Sequence, residues 1–427
     1  MNDRWVTGDA SGLSFPADPA ALHDGDVAFL TKAFHASGVL DTNNAVTRVD
    51  RSEEVAGGST GRKVLLDVEY QTPQPNLHTH LFVKFSRDFA DPLRDRGRTQ
   101  MESEVKFASL SLIPEFPIAV PSTQFADYHR ETGTGILISQ RIPFGTNGIE
   151  RQYHKCLDYE MPRPVEHYRA LLTAVARLAG THRSGRLPSH LTEQFPVDLR
   201  AATVGEPPPL APDKLRRRIT RLAEFAETHP GLLPANVRSP KFLTRLSDEA
   251  PQVMEQEPAI WRYLAGSRDY IALCHWNANV DNAWFWTDGD GVLRCGLMDW
   301  GCVSRLNVAM AIWGAMSGAE TDLWDGYFDE FLELFCEGVR GSSGPGLAPP
   351  ELERQVVLYV VLMGITWLLD MPALIRARVP DSGPATLRTD SSIKSHEGVR
   401  APLQMLVNVL NLWESRDLGR ALAAVGR

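Results

Sequence analysis

The chain predicts an α+β fold in which a small β-rich N-terminal part precedes a larger, mostly helical part. Three observations carry this. Short apolar or alternating runs occupy residues 63–70, 79–85, 122–128 and 135–142, separated by loops that carry Gly, Pro or charged residues. After Pro143 the apolar spacing becomes helical, as at Leu171, Leu172, Val175, Leu178 and Ala179. Residues 271–301 then break the helical pattern with two short apolar runs around Thr287-Asp288-Gly289-Asp290-Gly291, which reads as a β-hairpin.

Taken in order, residues 1–45 are a mixed lead-in with one helix expected over 21–36. Strands follow at 63–70 and 79–85, then a helix over 99–112 and a strand pair at 122–128 and 135–142, turned by Glu131-Thr132-Gly133-Thr134. A helix is expected over 167–182. Residues 183–212 are rich in proline and read as a long loop. Helices resume over 212–228 and 241–266, and again after the hairpin near 306–318, 322–340 and 350–371. The cluster Pro380-Asp381-Ser382-Gly383-Pro384 predicts a flexible segment over 374–398, and a last helical stretch covers 401–425.

Composition bounds the function. A chain of 427 residues with 43% hydrophobic and 23% charged residues is ordinary for a globular protein and long enough for two domains. The formal net charge of −9 argues against non-specific nucleic-acid binding. Lys214, Arg216, Arg217, Arg218 and Arg221 form a locally basic stretch. They alternate with Leu215, Ile219, Leu222 and Phe225 at helical spacing and read as the solvated side of a helix. Five cysteines without a Cys-x-x-Cys pair suggest neither a disulfide framework nor a zinc site, and so a reducing, cytoplasmic setting. No secretory signal is expected at the N-terminus. The most apolar run, residues 356–369, falls short of the ~20 residues of a membrane span, so a buried helix is expected there. Oligomeric state is not legible.

The hairpin carries the chemistry. His275 ends its first apolar run, a polar loop leads to Asn282, and the second strand delivers Asp299. A hairpin brings these two residues to one open end. An Asn and an Asp so placed are oxygen donors suited to a hard divalent cation such as magnesium.

The spacing His275, Asn277, Asn282, Asp299 follows the kinase catalytic loop and its metal-binding strand. Met298-Asp299-Trp300 resembles the Ile-Asp-Trp of aminoglycoside phosphotransferases and choline/ecdysteroid-kinase-like proteins. The loop departs from that family: Trp276 stands where Gly is usual, and Asn277 where the catalytic Asp is usual. The resemblance implies a protein-kinase-like two-lobe fold, with a small β-rich N-lobe over residues 1–143 and a large helical C-lobe over 144–427 carrying the hairpin. It also implies ATP and Mg2+ as cofactors.

Further residues fit the same plan. Lys84 closes the strand Leu81-Phe82-Val83-Lys84-Phe85, where the family holds ATP phosphates with a lysine fixed by a helix Glu. Glu102 and Glu104 lie on the next helix, and Glu104-Val105-Lys106-Phe107 resembles the family's Glu-Val-x-Phe, which selects Glu104. The turn Gly57-Gly58-Ser59-Thr60-Gly61 lies upstream, and in this fold Gly58, Ser59 and Thr60 would cover the phosphates; it lacks Walker A spacing. His182 and His275 are expected to brace the catalytic loop. Asn277 accepts hydrogen bonds but is no base near neutral pH, and Asp281 is the neighbouring carboxylate able to take over. Trp276 is expected to add bulk beside the substrate. The expected activity is ATP-dependent phosphoryl transfer to a hydroxyl of a small molecule. The alternative is a pseudokinase that binds nucleotide as a regulatory module.

Overall fold

Alternation along β-strands sets the N-terminal architecture. A computed structural model describes residues 4–58, 60–75, 77–201 and 210–425. A short ribbon, β1 (Trp5–Thr7) and β2 (Ser14–Pro16), precedes helix α1 (Pro19–Ala36). Pro19 opens α1, and the Asp18 carboxylate caps it by accepting the Ala21 N–H at 2.7 Å. Then come β3 (Val46–Val55), β4 (Arg62–Tyr70) and β5 (His80–Phe85), helix α2 (Gln100–Ser111), β6 (Thr123–His129) and β7 (Thr134–Gln140). These form an antiparallel five-stranded sheet in the order β3-β4-β5-β7-β6.

Each face of this sheet has its own partner. Val64, Leu66, Val83, Phe85, Ile136 and Ile138 pack with Phe29, Leu30 and Phe34 of α1. Leu137, between two of those isoleucines, points the other way and packs with Met101, Val105 and Ala108 of α2. Each fully buried Leu, Ile or Phe contributes ~1.5–3 kcal/mol, which fixes the register. Lys84 pairs with Leu137 across β5 and β7 and therefore lies on the α2 face.

The chain divides into two compact units. The first comprises Met1–Asn147, Pro188–Phe195 and Leu297–Val303; the second comprises Gly148–Leu187, Pro196–Gly296 and Ser304–Arg427. The second unit is mostly helical: α3 (Pro164–Arg183), α4 (Pro212–Thr228) and α5 (Pro240–Gly266) precede β8 (Ile271–His275), β9 (Ala283–Thr287), β10 (Leu293–Leu297) and β11 (Val303–Asn307). β9 pairs with β10, as the hairpin pattern predicts, and β8 pairs with β11. Helices α6 (Val308–Met316), α7 (Thr321–Gly341), α8 (Pro349–Thr366), α9 (Met371–Arg378), α10 (Glu397–Ser415) and α11 (Leu418–Val425) complete it. The observed order is thus an N-terminal antiparallel sheet followed by a largely helical part.

Two expectations need correction. The apolar run near residue 360 belongs to a longer helical stretch, Pro349–Arg378, that is long and apolar enough to cross a membrane by length and composition; 83% of its most apolar window is buried inside the protein. The extra length comes from α9, whose Pro372 sits in a first turn, where proline is tolerated. The segment over 374–398 is not one flexible loop. It contains the end of α9, a short helix Ser391–Lys394 and the start of α10, pinned by buried Ile375, Ile393 and Val399. The breakers act only on the turns between.

Candidate active site

In the first unit, Lys84 is held on both sides. Its Nζ donates to both carboxylate oxygens of Glu104 at 2.8 Å and to Asp299 at 2.7 Å. Glu102 lies elsewhere, in ion pairs with Lys106 and Arg130 at 3.0 Å each, so α2 turns Glu104 to the sheet and Glu102 outward. Burial works to lower the Lys84 pKa, but Asp299 and Glu104 outweigh it and hold the ammonium above the ordinary lysine range. Burial pushes Glu104 up against the pull of Lys84.

The segment around Asp299 is packed onto the same unit. Trp300 stacks on Phe107 of α2 with ring centroids 3.7 Å apart, and its backbone N–H donates to Glu104 at 3.3 Å. The Trp300 indole N–H closes back onto the Leu297 carbonyl at 3.1 Å. Asp299 itself has φ 65°, a left-handed conformation that Asp tolerates better than most residues and that recurs at functional sites.

The glycine-rich turn adjoins Lys84. Gly57, Gly58 and Gly61 all have positive φ, and a Cβ on Gly61 would lie 1.8 Å from the Phe85 carbonyl oxygen, so that position requires glycine. Thr60 lines one cavity with Lys63, Lys84, Glu104, Asp299 and Gly301. Ser59 lies outside the described residues.

The loop of the second unit is braced from within. His275 is fully buried, and its Nδ1 accepts the Asn277 backbone N–H at 3.1 Å. Asn282 donates its side-chain NH2 to the Asn277 carbonyl at 2.8 Å. Asn282 stands immediately before β9, and Asp299 follows β10 by two residues. Asn277 Oδ1 accepts from Asn279 Nδ2 at 2.8 Å and lies 3.5 Å from Lys155 Nζ. The same ammonium lies 3.6 Å from the Asp281 carboxylate. His182 is half-buried at the end of α3, and desolvation, with Arg183 and Arg305 nearby, pushes its pKa down to about 4.

Trp276 is half-buried, and its indole N–H donates to the hydroxyl of buried Tyr359 on α8 at 2.7 Å, which ties the ring to that helix. Gly314 on α6 lets the loop backbone come close: a Cβ there would lie 1.8 Å from the Trp276 carbonyl oxygen.

An Asp carboxylate and an Asn amide oxygen suit magnesium. Among the described residues no group of three His, Cys, Asp or Glu side chains could hold a metal ion. The sequence reading missed Lys63, Arg94 and Lys155. Strand alternation opposite Lys84 was a usable signal for Lys63. Lys155 lies in an irregular loop far upstream and offers no local pattern.

No family model and no curated protein matches this chain. Among solved structures, it is similar to a choline/ethanolamine kinase family protein from Mesorhizobium loti, at 15% identity and TM-score 0.40, covering 88% of this chain and 92% of that one. It is also similar to an ethanolamine kinase from Plasmodium vivax, at 13% identity and TM-score 0.41, covering 84% and 82%. A third is a spectinomycin phosphotransferase solved with ADP and spectinomycin, at 10% identity and TM-score 0.39, covering 85% and 94%.

Proposed function

We propose that this protein is an ATP-dependent phosphotransferase acting on a hydroxyl group of a small molecule. The observation that supports this best is the Lys84 ammonium clasped by buried Glu104 and by Asp299, beside a glycine-rich turn. A lysine fixed this way is a ready phosphate ligand. In this reading Gly58, Ser59 and Thr60 cover the phosphates and Glu104 orients Lys84. Asp299 and Asn282 are the oxygen donors to Mg2+, whose role is to neutralise phosphate charge. The acceptor hydroxyl oxygen bonds to the γ-phosphorus as the bond to the bridging oxygen breaks and ADP leaves. Asp281 takes the hydroxyl proton, and Asn277 positions the hydroxyl.

One observation favours a second reading, a nucleotide-binding pseudokinase. The Asn277 oxygen already accepts from Asn279 and faces Lys155, so this position offers neither a charge nor an open acceptor. The deciding experiment is ATP consumption against a panel of hydroxylated metabolites, with wild type and Asn277→Asp side by side. Turnover by wild type supports the transferase. ATP binding without turnover by either protein supports the pseudokinase.

A further inference from the structure

The β4–β5 register sets Lys63 directly opposite Lys84. Opposed residues in an antiparallel pair project from the same face with Cβ atoms ~4.5–5.5 Å apart, and like charges there destabilise the sheet. The two lysines are not treated alike. Lys84 has two carboxylates. Lys63 has two carbonyl oxygens: its Nζ donates to Gly57 at 2.7 Å and lies 3.4 Å from the Thr60 oxygen. Among the described residues no carboxylate pairs with Lys63.

The ammonium sits beneath the glycine-rich turn, where a Cβ on Gly58 would meet Lys63 Nζ at 2.4 Å. A second cation works on the same turn. Arg94, anchored to Asp88 at 3.0 Å, donates to the Gly58 carbonyl at 2.8 Å and to that of Gly61. Burial first, and then the Lys84 charge, push the Lys63 pKa down to about 8, with Arg94 adding to the effect and Asp299 and Glu104 opposing it. Lys63 and Lys84 line one cavity. Two ammonium groups on one face, only one of them neutralised, suit a ligand with more than one negative charge.

We propose that Lys63 is a second polyphosphate-binding cation, which ties the glycine-rich turn to the phosphate chain that Lys84 also holds. The inference rests on the nucleotide-binding reading of this site. Like-charge repulsion between the lysines is tolerated in the free protein because Glu104 and Asp299 screen Lys84. A bound polyphosphate relieves it by bridging both ammonium groups.

Calorimetry on the full chain with Mg-ATP and with AMP tests this, using wild type, Lys63→Met, Lys63→Arg and Lys84→Met. Lys63→Met should weaken Mg-ATP binding by about tenfold or more, the worth of one charge-assisted hydrogen bond. AMP affinity should stay at the wild-type value, and Lys63→Arg should retain most Mg-ATP affinity. The ligand-free Lys63→Met protein should unfold at the wild-type temperature or above it, since a half-buried like charge has been removed. Unchanged Mg-ATP affinity in Lys63→Met overturns the inference while leaving the nucleotide site intact. Equal loss of ATP and AMP together with a lower unfolding temperature also overturns it, because Lys63 then only braces the turn. No Mg-ATP binding by wild type, or none of its affinity lost in Lys84→Met, overturns the nucleotide reading and this inference with it.

Discussion

The Lys84 ammonium lies 2.8 Å from both carboxylate oxygens of Glu104, and Glu104 is almost wholly buried. Removing the lysine therefore has two separable effects. Lys84→Met should weaken ATP binding by at least about tenfold. It should also cost about 3 kcal/mol of stability, because a buried carboxylate loses its main partner. Adding Glu104→Gln should restore much of the stability and none of the binding. Calorimetry and thermal unfolding on the same samples check both; equal ATP affinity for wild type and Lys84→Met removes Lys84 from the site.

Asp299 is the charged oxygen donor of the proposed cation pair, and Asn282 the neutral one. Asp299→Asn should lose most of the magnesium-dependent part of nucleotide binding, and Asn282→Ala less, since a carboxylate brings charge as well as a lone pair. Magnesium titration in the presence of ATP reads this directly. A wild-type titration curve for Asp299→Asn rules out Asp299 as a ligand.

In the active-enzyme reading, Asn277→Asp should leave turnover similar or raise it, because the new carboxylate would stand beside Lys155 at the usual base position. Asp281→Asn should lower turnover more than about tenfold, within the range for loss of a general base. Turnover unchanged by both Asn277→Ala and Asp281→Asn takes both residues out of the chemistry.

Gly314 and Trp276 should behave as a pair. Gly314→Ala drives a methyl group into the Trp276 carbonyl and should cost about 1–3 kcal/mol by overpacking. Trp276→Phe loses the bond to Tyr359 and should cost about 1 kcal/mol. Trp276→Gly should loosen the loop and not open space for a substrate. Denaturant unfolding of the three variants gives the order; a Gly314→Ala protein as stable as wild type refutes the close approach.

Asp158 gives a pH signature. Burial raises its pKa from 3.8 to about 7, against the hydrogen bond it accepts from Tyr168 at 2.6 Å. The folded state thus binds a proton that the unfolded state releases. This group's contribution to stability is full below pH 3.8 and is lost as pH rises through about 7. Asp158→Asn should therefore be more stable than wild type at pH 8, by on the order of 4 kcal/mol, and the advantage should be smaller at pH 5 and gone only below about pH 3.8. Unfolding temperatures measured at the two pH values check the sign.

Much of this was legible in the sequence because periodicity reports burial. The two-residue repeat around Lys84 and the helical spacing around Leu171 each named the correct element. The hairpin of β9 and β10 followed from its Gly turn. What stayed hidden depends on distant packing. Nothing near Trp276 announces Tyr359 or Gly314, which lie on other helices. Lys155 reaches Asn277 from a loop without a repeat. Strand β3 was missed because most of its residues are exposed, so it lacks the alternation that identifies β4.

Residues 297–303 belong to the N-terminal unit, and they supply Trp300 to Phe107, a backbone N–H to Glu104 and a carboxylate to Lys84. A polypeptide ending at Asn147 would lack all three. The sheet and its helices are therefore not a module to be excised, fused or expressed alone. During synthesis, which usually lets N-terminal domains fold first, this one gains those three contacts only after the ribosome has delivered a segment made some 150 residues after its last strand.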